Sequence, residues 1–302
     1  MQSRYVNNLP LVSIVTPSYN SEQFIAETIE SVLAQDYPAV EYIVMDAQST
    51  DGTAAIVSRY AERLQFHSAP DRGVADAVNA GIRLARGEIV AFLNSDDKYL
   101  PGAIGAAVDA LTHSPELVGV YGNAYWIDGN GAILRPYPTE DFDPKSFELN
   151  CFISQPAVFF RRDAFEKANG FDISFHSAFD YDFWIRLSHL GKLERIHSFW
   201  ALSRMHPGNK TLGNRRIMFS ENFRLLLKHF GYVPLHWICG FTCFLADGRD
   251  QFFEPAHMTR WRYLLSLGIG LRTNWRHPLR YTLEWLRGIH FTPSKQVNAR
   301  NL

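Results

Sequence analysis

From Leu11 to Asp97 short apolar runs rich in branched residues alternate with longer stretches of helical period, which commits this part of the chain to successive βα units and a largely parallel sheet. LVSIVT (11 to 16) and EYIVMD (41 to 46) predict strands, and residues 21 to 35 predict a helix with Ser21 as its N-cap. A helix over 53 to 63, a short strand over 64 to 68 and a helix over 74 to 86 follow. EIVAFLN (88 to 94) predicts a buried strand running into Ser95, Asp96 and Asp97. After Pro101 the alternation loosens. A helix is expected to about 112 and strands near 118 to 121 and 124 to 135, before the segments QPAVFFRRDAFEKANGFD and AFDYDFWIRL.

Open α/β sheets bind ligands outside the carboxyl ends of their strands, where loops meet helix N-termini. Three polar loops fall there: TPSYN (16 to 20), DAQSTDGT (46 to 53) and NSDD (94 to 97). Adjacent carboxylates such as Asp96 and Asp97 repel unless a cation relieves them, and an all-oxygen set of this kind suits Mg²⁺ or Mn²⁺ completed by a phosphate-bearing substrate. Asp is also a common turn residue after a strand, so spacing alone leaves both readings open. Asp46 faces the expected crevice. Pro17 and Tyr19 stand where a side chain could stack on a flat base or simply pack. Neither GxGxxG nor GxxxxGK[ST] occurs, which removes most support for dinucleotide and P-loop readings.

Composition narrows the partners. Thirty basic against thirty-one acidic side chains leave a formal charge of −1, so the total predicts no nucleic-acid binding. The charge is unevenly placed: residues 212 to 302 hold thirteen Lys or Arg against five Asp or Glu. Aromatics interleave with the arginines in RWRYLL, NWRHPLRY and LEWLRGIHF, a pattern suited to a peripheral membrane contact or to a helical subdomain whose arginines snorkel over core. Phe230 to Ala246 lacks charge but contains Pro234, His236 and Gly240, and is read as interfacial or buried, not spanning. Three cysteines without a CxxC pair and an N-terminus without an apolar h-region predict a chain that starts near Met1 and works in the cytoplasm, at the inner face of the membrane if the tail docks there.

TPSYNSEQFIAETIESVLAQDYP, VMDAQSTDGT and DRGVADAVNAGIRLARGEIVAFLNSDD, in this order and spacing, resemble the family 2 glycosyltransferases, and DRGVADAVNAGI before NSDD is similar to the bacterial transferases that build O-antigen and exopolysaccharide. The resemblance covers roughly residues 10 to 210. It implies an α/β GT-A nucleotide-sugar-binding fold, a mostly parallel central sheet flanked by helices, with a C-terminal helical extension. The expected division is a catalytic domain over 1–211 and a basic, aromatic-rich helical segment over 212–302. Within the first, a nucleotide-binding half spans about 10–100 and an acceptor half about 101–211.

Carried over by residue, the resemblance places Pro17, Tyr19, Asp46, Arg72 and Asp96 against the nucleotide, and Asp76, Asp97 and Trp184 toward sugar or acceptor. Asp96, Asp97 and His206 are the expected metal ligands, with the choice between the two aspartates open. The motif reads Asn94-Ser95-Asp96, an amide standing where a first carboxylate is usual. AFDYDFWIRL resembles the family's acidic motif, with Phe179 in place of its first acid and Asp180 matching the general base. Trp184, at i+4, would share the Asp180 face and pack against a sugar, while Asp182 is expected as a cap or solvent contact. The histidine and arginine of SRMHPGNKT match the late loop that closes over the diphosphate, which makes His206 a metal or phosphate ligand and Lys210 a phosphate contact.

The implied reaction is inverting transfer from a nucleotide-sugar, with UDP likeliest and dTDP and GDP open, to a glycan or polyprenyl-diphosphate-linked hydroxyl, aided by Mn²⁺ or Mg²⁺. Two other readings compete: a sugar nucleotidyltransferase, disfavoured because TPSYN lacks Gly, Arg and Lys, and an inactive scaffold, disfavoured by the retained Asp46, Asp96 and Asp180.

Overall fold

The computed structural model describes residues 9–248 and 258–288, without the side chains of residues 210 and 211. Two compact units divide the chain: Met1–Asp143 with Phe152–His206, and Pro144–Cys151 with Pro207–Leu302.

The first unit opens with β1 (Val12–Ser18), α1 (Ile25–Leu33), β2 (Val40–Asp46), α2 (Thr53–Ser58), β3 (Gln65–Ser68), α3 (Val74–Leu84) and β4 (Ile89–Phe92). All seven residues of β1 are buried, as expected of a central strand covered on both faces. Helix α1 turns Ile25, Thr28, Ile29 and Val32 inward, one stripe at helical spacing. Gly81 brings α3 close to the sheet: an added Cβ would stand 2.5 Å from Val15 Cγ1 and 3.0 Å from Met45 Cγ.

Beyond β4 come β5 (Lys98–Tyr99), α4 (Ala103–His113), β6 (Leu117–Ile127), β7 (Ile133–Pro136), α5 (Pro144–Leu149, in the second unit), β8 (Val158–Arg161), α6 (Arg162–Lys167), α7 (Phe179–Ser188) and β9 (Lys192–Arg204). The strands run in the order β3-β2-β1-β4-β8-β6-β9-β5, with β7 paired to β6. Neighbours from β3 to β4 are parallel. Strand β8 is antiparallel to both β4 and β6, and β9 returns parallel to β6. The parallel character is therefore that of the first half, and the second half makes the sheet mixed. Chain order reverses between β1 and β4, so the crevice of an open α/β sheet lies at their carboxyl ends.

Several boundaries differ from expectation. Ser21 does not cap α1, which starts four residues later; its hydroxyl instead bonds Ser95 Oγ at 2.7 Å. Residues 59 to 63 leave the helix for turns after Ser58. The strand expected over 124 to 135 is interrupted at 128 to 132, where Asp128 Oδ1 accepts the amides of Asn130 and Ala132 and Gly131 takes φ +86°. A left-handed turn of that kind suits a glycine.

The second unit is helical, with α8 (Lys210–Gly213), α9 (Arg215–Phe230), α10 (Leu235–Asp247), α11 (Arg260–Thr273) and α12 (Pro278–Gly288). Gly231 and Gly248, at φ +67° and +63°, end α9 and α10 in left-handed caps. Within the uncharged stretch read as interfacial or buried, α10 buries Ile238, Thr242 and Cys243. Among the described residues no helix is long and apolar enough to cross a membrane. Of the tail charges counted above, Arg249, Asp250, Glu254, Lys295 and Arg300 lie outside the described residues, as does Met1.

Candidate active site

The loops after β1 and β2 are fastened to each other. Asn20, at φ +47°, donates its amide to Ser49 Oγ (2.9 Å) and accepts the Thr50 amide on Oδ1 (2.9 Å). The Ser21 amide reaches Thr53 Oγ1 (2.7 Å), the Glu22 amide reaches Asp51 Oδ2 (3.1 Å), and Glu22 Oε2 accepts from the Gly52 amide (2.7 Å). Ser21 Oγ then links this pair to Ser95 of the loop after β4. All three polar loops thus form one bonded surface above the crevice.

Pro17 is buried, whereas Tyr19 is 62% exposed. Asp46, 3% exposed, accepts the Ser49 amide and the Ser68 hydroxyl on Oδ2 (3.0 and 2.8 Å) and the Ser49 hydroxyl on Oδ1. These bonds hold the loop in which Gln48 takes φ +57°. Asp46 is built as the anchor of that loop, and what the loop presents depends on it.

Asp96 and Asp97 face different ways. Asp96 Oδ2 lies 3.1 Å from His206 Nε2, with their side chains 24% and 21% exposed. The His206 ring rests on Phe24, centroids 4.9 Å apart. Asp97, expected at metal or sugar, is 4% exposed, and its Oδ1 accepts the Arg204 amide at 2.8 Å. Burial, reinforced by the charge of Asp96, holds the Asp97 carboxyl well above the usual carboxylate range, against the Arg204 amide and Asn94, which favour the ion.

Arg204 is also not a loop cation over a diphosphate. At 2% exposure it donates Nε to the Asp96 carbonyl (2.9 Å), Nη1 to the Gly129 carbonyl (3.1 Å) and Nη2 to Glu27 Oε2 (2.9 Å), with its guanidinium 4.5 Å over Phe24. It braces the turn that carries Asp96. Glu27 also accepts from Lys98 Nζ (3.0 Å); although burial raises its pKa, the bonds from Lys98 and Arg204 bring it below its ordinary value.

Arg72, just before α3, and Asp76 in its first turn form a two-pronged pair, Nε to Oδ2 at 3.0 Å and Nη2 to Oδ1 at 2.9 Å, with the Arg72 side chain 70% exposed. Asp180 lies in the first turn of α7, half-buried, with Oδ1 accepting the Tyr181 amide (2.8 Å). Phe179 beside it packs on Phe92, the last residue of β4, at 5.8 Å between centroids, which brings this end of α7 to the end of β4.

Trp184 departs from the expectation of a sugar contact. It is fully buried among Phe160, Phe171 and Phe183, so no sugar can reach it. Asp182, expected as a cap or solvent contact, is equally buried and paired to Arg186 at 2.8 Å, and α7 has no side-chain cap. Lys210 opens α8 in the second unit, and its side chain lies outside the described residues.

Among the described residues no three His, Cys, Asp or Glu side chains gather into a metal cage. The donor set that does converge, one carboxylate and one imidazole, fits a cation that takes its remaining ligands from substrate phosphate and water. Residues that pattern reading passed over are Asn20, Ser49, Thr53, Glu27 and Gln155. Gln155 accepts from Asn94 Nδ2 (2.9 Å) and donates to the Phe92 carbonyl (2.7 Å), fixing the amide that replaces the first acid of the motif. A run of small polar residues in both strand-end loops was the available signal for the first three.

Known proteins share both sequence and fold with this chain. A chondroitin synthase of Escherichia coli is 28% identical over 246 residues, 78% of this chain but 36% of its own length. A hyaluronan synthase of Pasteurella multocida is 26% identical over 227 residues, 23% of its length, so the chain spans about a third or less of these relatives. An uncharacterized glycosyltransferase of Rickettsia typhi is 30% identical over 67% of this chain and 66% of its own. Among solved structures, S. aureus TarS in complex with UDP superposes with TM-score 0.61 at 18% identity, covering 91% of this chain and 83% of that one. The mannosyltransferase PcManGT from Pyrobaculum calidifontis, in complex with GDP-Man and Mn²⁺, gives 0.58 at 20% identity, covering 93% and 87%. These likenesses establish the fold as GT-A. The model of the family described as Glycosyl transferase family 2 matches residues 13–168, and with half the chain inside it the protein belongs to that family.

Proposed function

We propose that the chain transfers a sugar from a nucleoside-diphosphate sugar, UDP first among the nucleotides, to a hydroxyl of a glycan or polyprenyl-diphosphate-linked acceptor in surface polysaccharide synthesis. The observation that carries this reading is the Asp96–His206 pair at the edge of the crevice where the three strand-end loops are bonded together. Relatives named as chondroitin and hyaluronan synthases, and fold neighbours holding UDP, UDP-GlcNAc and GDP-Man, support the donor class.

Asp96 and His206 would hold a divalent cation, Mn²⁺ or Mg²⁺, which when bound supplies Lewis-acid neutralisation of the diphosphate. Tyr19 is positioned to cover the base. Asp46 keeps the second loop in shape, and Arg72 with Asp76 borders the donor side. Asp180 takes the proton from the acceptor hydroxyl as its oxygen bonds the anomeric carbon from the face opposite the leaving group. The electron pair of the broken bond leaves with the nucleoside diphosphate, and the anomeric centre inverts.

Calorimetric titration of UDP, GDP and dTDP, each with Mn²⁺ and with chelator, tests the reading on wild type and Asp96→Ala. Metal-dependent binding of one nucleotide, lost in the variant, is the expected result. Binding of none of the three would put the scaffold reading in its place.

A further inference from the structure

Helices α11 and α12 bury an aromatic face of α12 against small residues of α11 and leave a second apolar face of each exposed. Tyr281 and Trp285 of α12 point inward: Tyr281 Oη donates to the Ser266 carbonyl (2.9 Å), and Trp285 Nε1 to the Tyr263 carbonyl (3.0 Å). They seat against the small side of α11, where an added Cβ at Gly270 would overlap the Tyr281 ring. The leucines of α12, spaced i, i+4, i+7 along one face, stay outside. Leu279 is 79% exposed, Leu283 55% and Leu286 47%. On α11, Trp261 (55%), Leu264 (64%) and Leu265 (42%) do the same, and Trp275 between the helices is 69% exposed. The three leucines form one exposed apolar stripe along α12, a face that something covers.

Charge identifies the cover. Between 260 and 288 the chain has six arginines and one acid, Glu284, and that acid is held by Tyr232 and by the Leu235 amide (3.0 Å). Arg260, Arg272, Arg276, Arg280 and Arg287 are exposed, whereas Arg262 is tied to Asp247. The Arg276 guanidinium lies 5.0 Å from the Trp275 ring centre, so an apolar ring and a cation share one location. A second copy laid on this face would bring arginine against arginine. An anionic bilayer accepts both components, leucine and tryptophan in the acyl boundary and arginine at the headgroup phosphates.

We infer that α11 and α12 dock the protein onto an anionic lipid surface through Leu279, Leu283 and Trp275, with Arg276 and Arg287 at the headgroups. The inference does not depend on the transfer reaction, and its test is separate from nucleotide binding.

Vesicle flotation with the full chain tests it, using phosphatidylcholine alone and phosphatidylcholine with one-third phosphatidylglycerol, at low and high salt. Wild type is expected to float with the anionic vesicles at low salt and to be released by high salt. Leu279→Gln with Leu283→Gln is expected to weaken partition at least about tenfold, and each of Arg276→Gln and Arg287→Gln about fivefold. Circular dichroism and nucleotide titration check that the variants stay folded; should the leucine pair fail to fold, the arginine variants carry the test. Absence of flotation, or equal partition of wild type and folded variants, overturns the inference. So does a wild-type dimer in sedimentation that Leu279→Gln dissociates, since a second copy would then cover the face.

Discussion

The backbone amide of Arg204, at the end of β9, lies 2.8 Å from Oδ1 of Asp97, while the Arg204 side chain grips the carbonyl of Asp96 at 2.9 Å. One buried residue thereby fixes the whole turn, with Asp97 drawn inward and Asp96 left toward His206. Replacing Arg204 with Met should destabilise the protein by about 2–3 kcal/mol, because the Asp96 and Gly129 carbonyls lose a buried donor, while Glu27, nearly half exposed, keeps Lys98. Chemical denaturation measures this, and a loss under 1 kcal/mol, on the order of an exposed ion pair, would refute the bracing role.

His206→Ala should leave stability within about 0.5 kcal/mol of wild type and weaken metal-dependent nucleotide binding by about 10- to 100-fold. Titration with and without Mn²⁺ separates the two contributions. Loss of metal-independent affinity instead would make His206 a direct phosphate contact.

Asp180→Asn preserves shape and removes the proton acceptor. Its turnover should fall by about 10²–10⁴ with nucleotide affinity unchanged. A parallel loss of donor affinity would place Asp180 on the donor side.

Trp184 fills the aromatic cluster under α7, so Trp184→Ala should cost about 3–5 kcal/mol of stability. The acceptor KM of whatever protein remains folded should be unaltered, as saturation kinetics can check. A raised KM at unchanged stability would return Trp184 to the cleft.

Glu41, whose side chain is 3% exposed, sits at the opposite end of the sheet from the site and gives a pH signature. Burial works to raise its pKa, yet the Arg86 amide and guanidinium and the Ser13 hydroxyl together bring it below the ordinary 4.5. A carboxylate lowered on folding adds stability above its unfolded value, and that addition disappears as pH falls through the folded value. Wild type should exceed Glu41→Gln by about 1.5–3 kcal/mol at neutral pH, with the gap closing below about pH 4.5. Denaturation across that range decides it, and a gap independent of pH would exclude the charge as its source.

The half of the sheet from β1 to β4 was readable in the chain because its cues are local: branched apolar runs, helical stripes and polar loops at strand ends. The direction of Asp96 and Asp97 was not, since it is set by Arg204, 107 residues beyond Asp97. Trp184 misled for a related reason. Sharing a helical face with Asp180 says nothing of how far that face has passed beneath the sheet one turn later, where Phe160 and Phe171 close over it. Ser21 carried the mark of an N-cap, but its hydroxyl found Ser95, a partner 74 residues away. On α11 and α12 the aromatic and basic pattern was visible, but which rings turn inward depends on Gly270 and Ser266, small residues with no periodic signal of their own.

The bonds joining residues 20–22 to 49–53 are complete before any ligand arrives. Ordering of that floor is therefore settled by the chain's own side chains, and on the proposed reading a nucleotide would meet a surface already formed. On the proposed reading its amide hydrogens should exchange equally slowly with and without nucleotide, and selectivity among bases would then fall to exposed side chains above it, such as Tyr19.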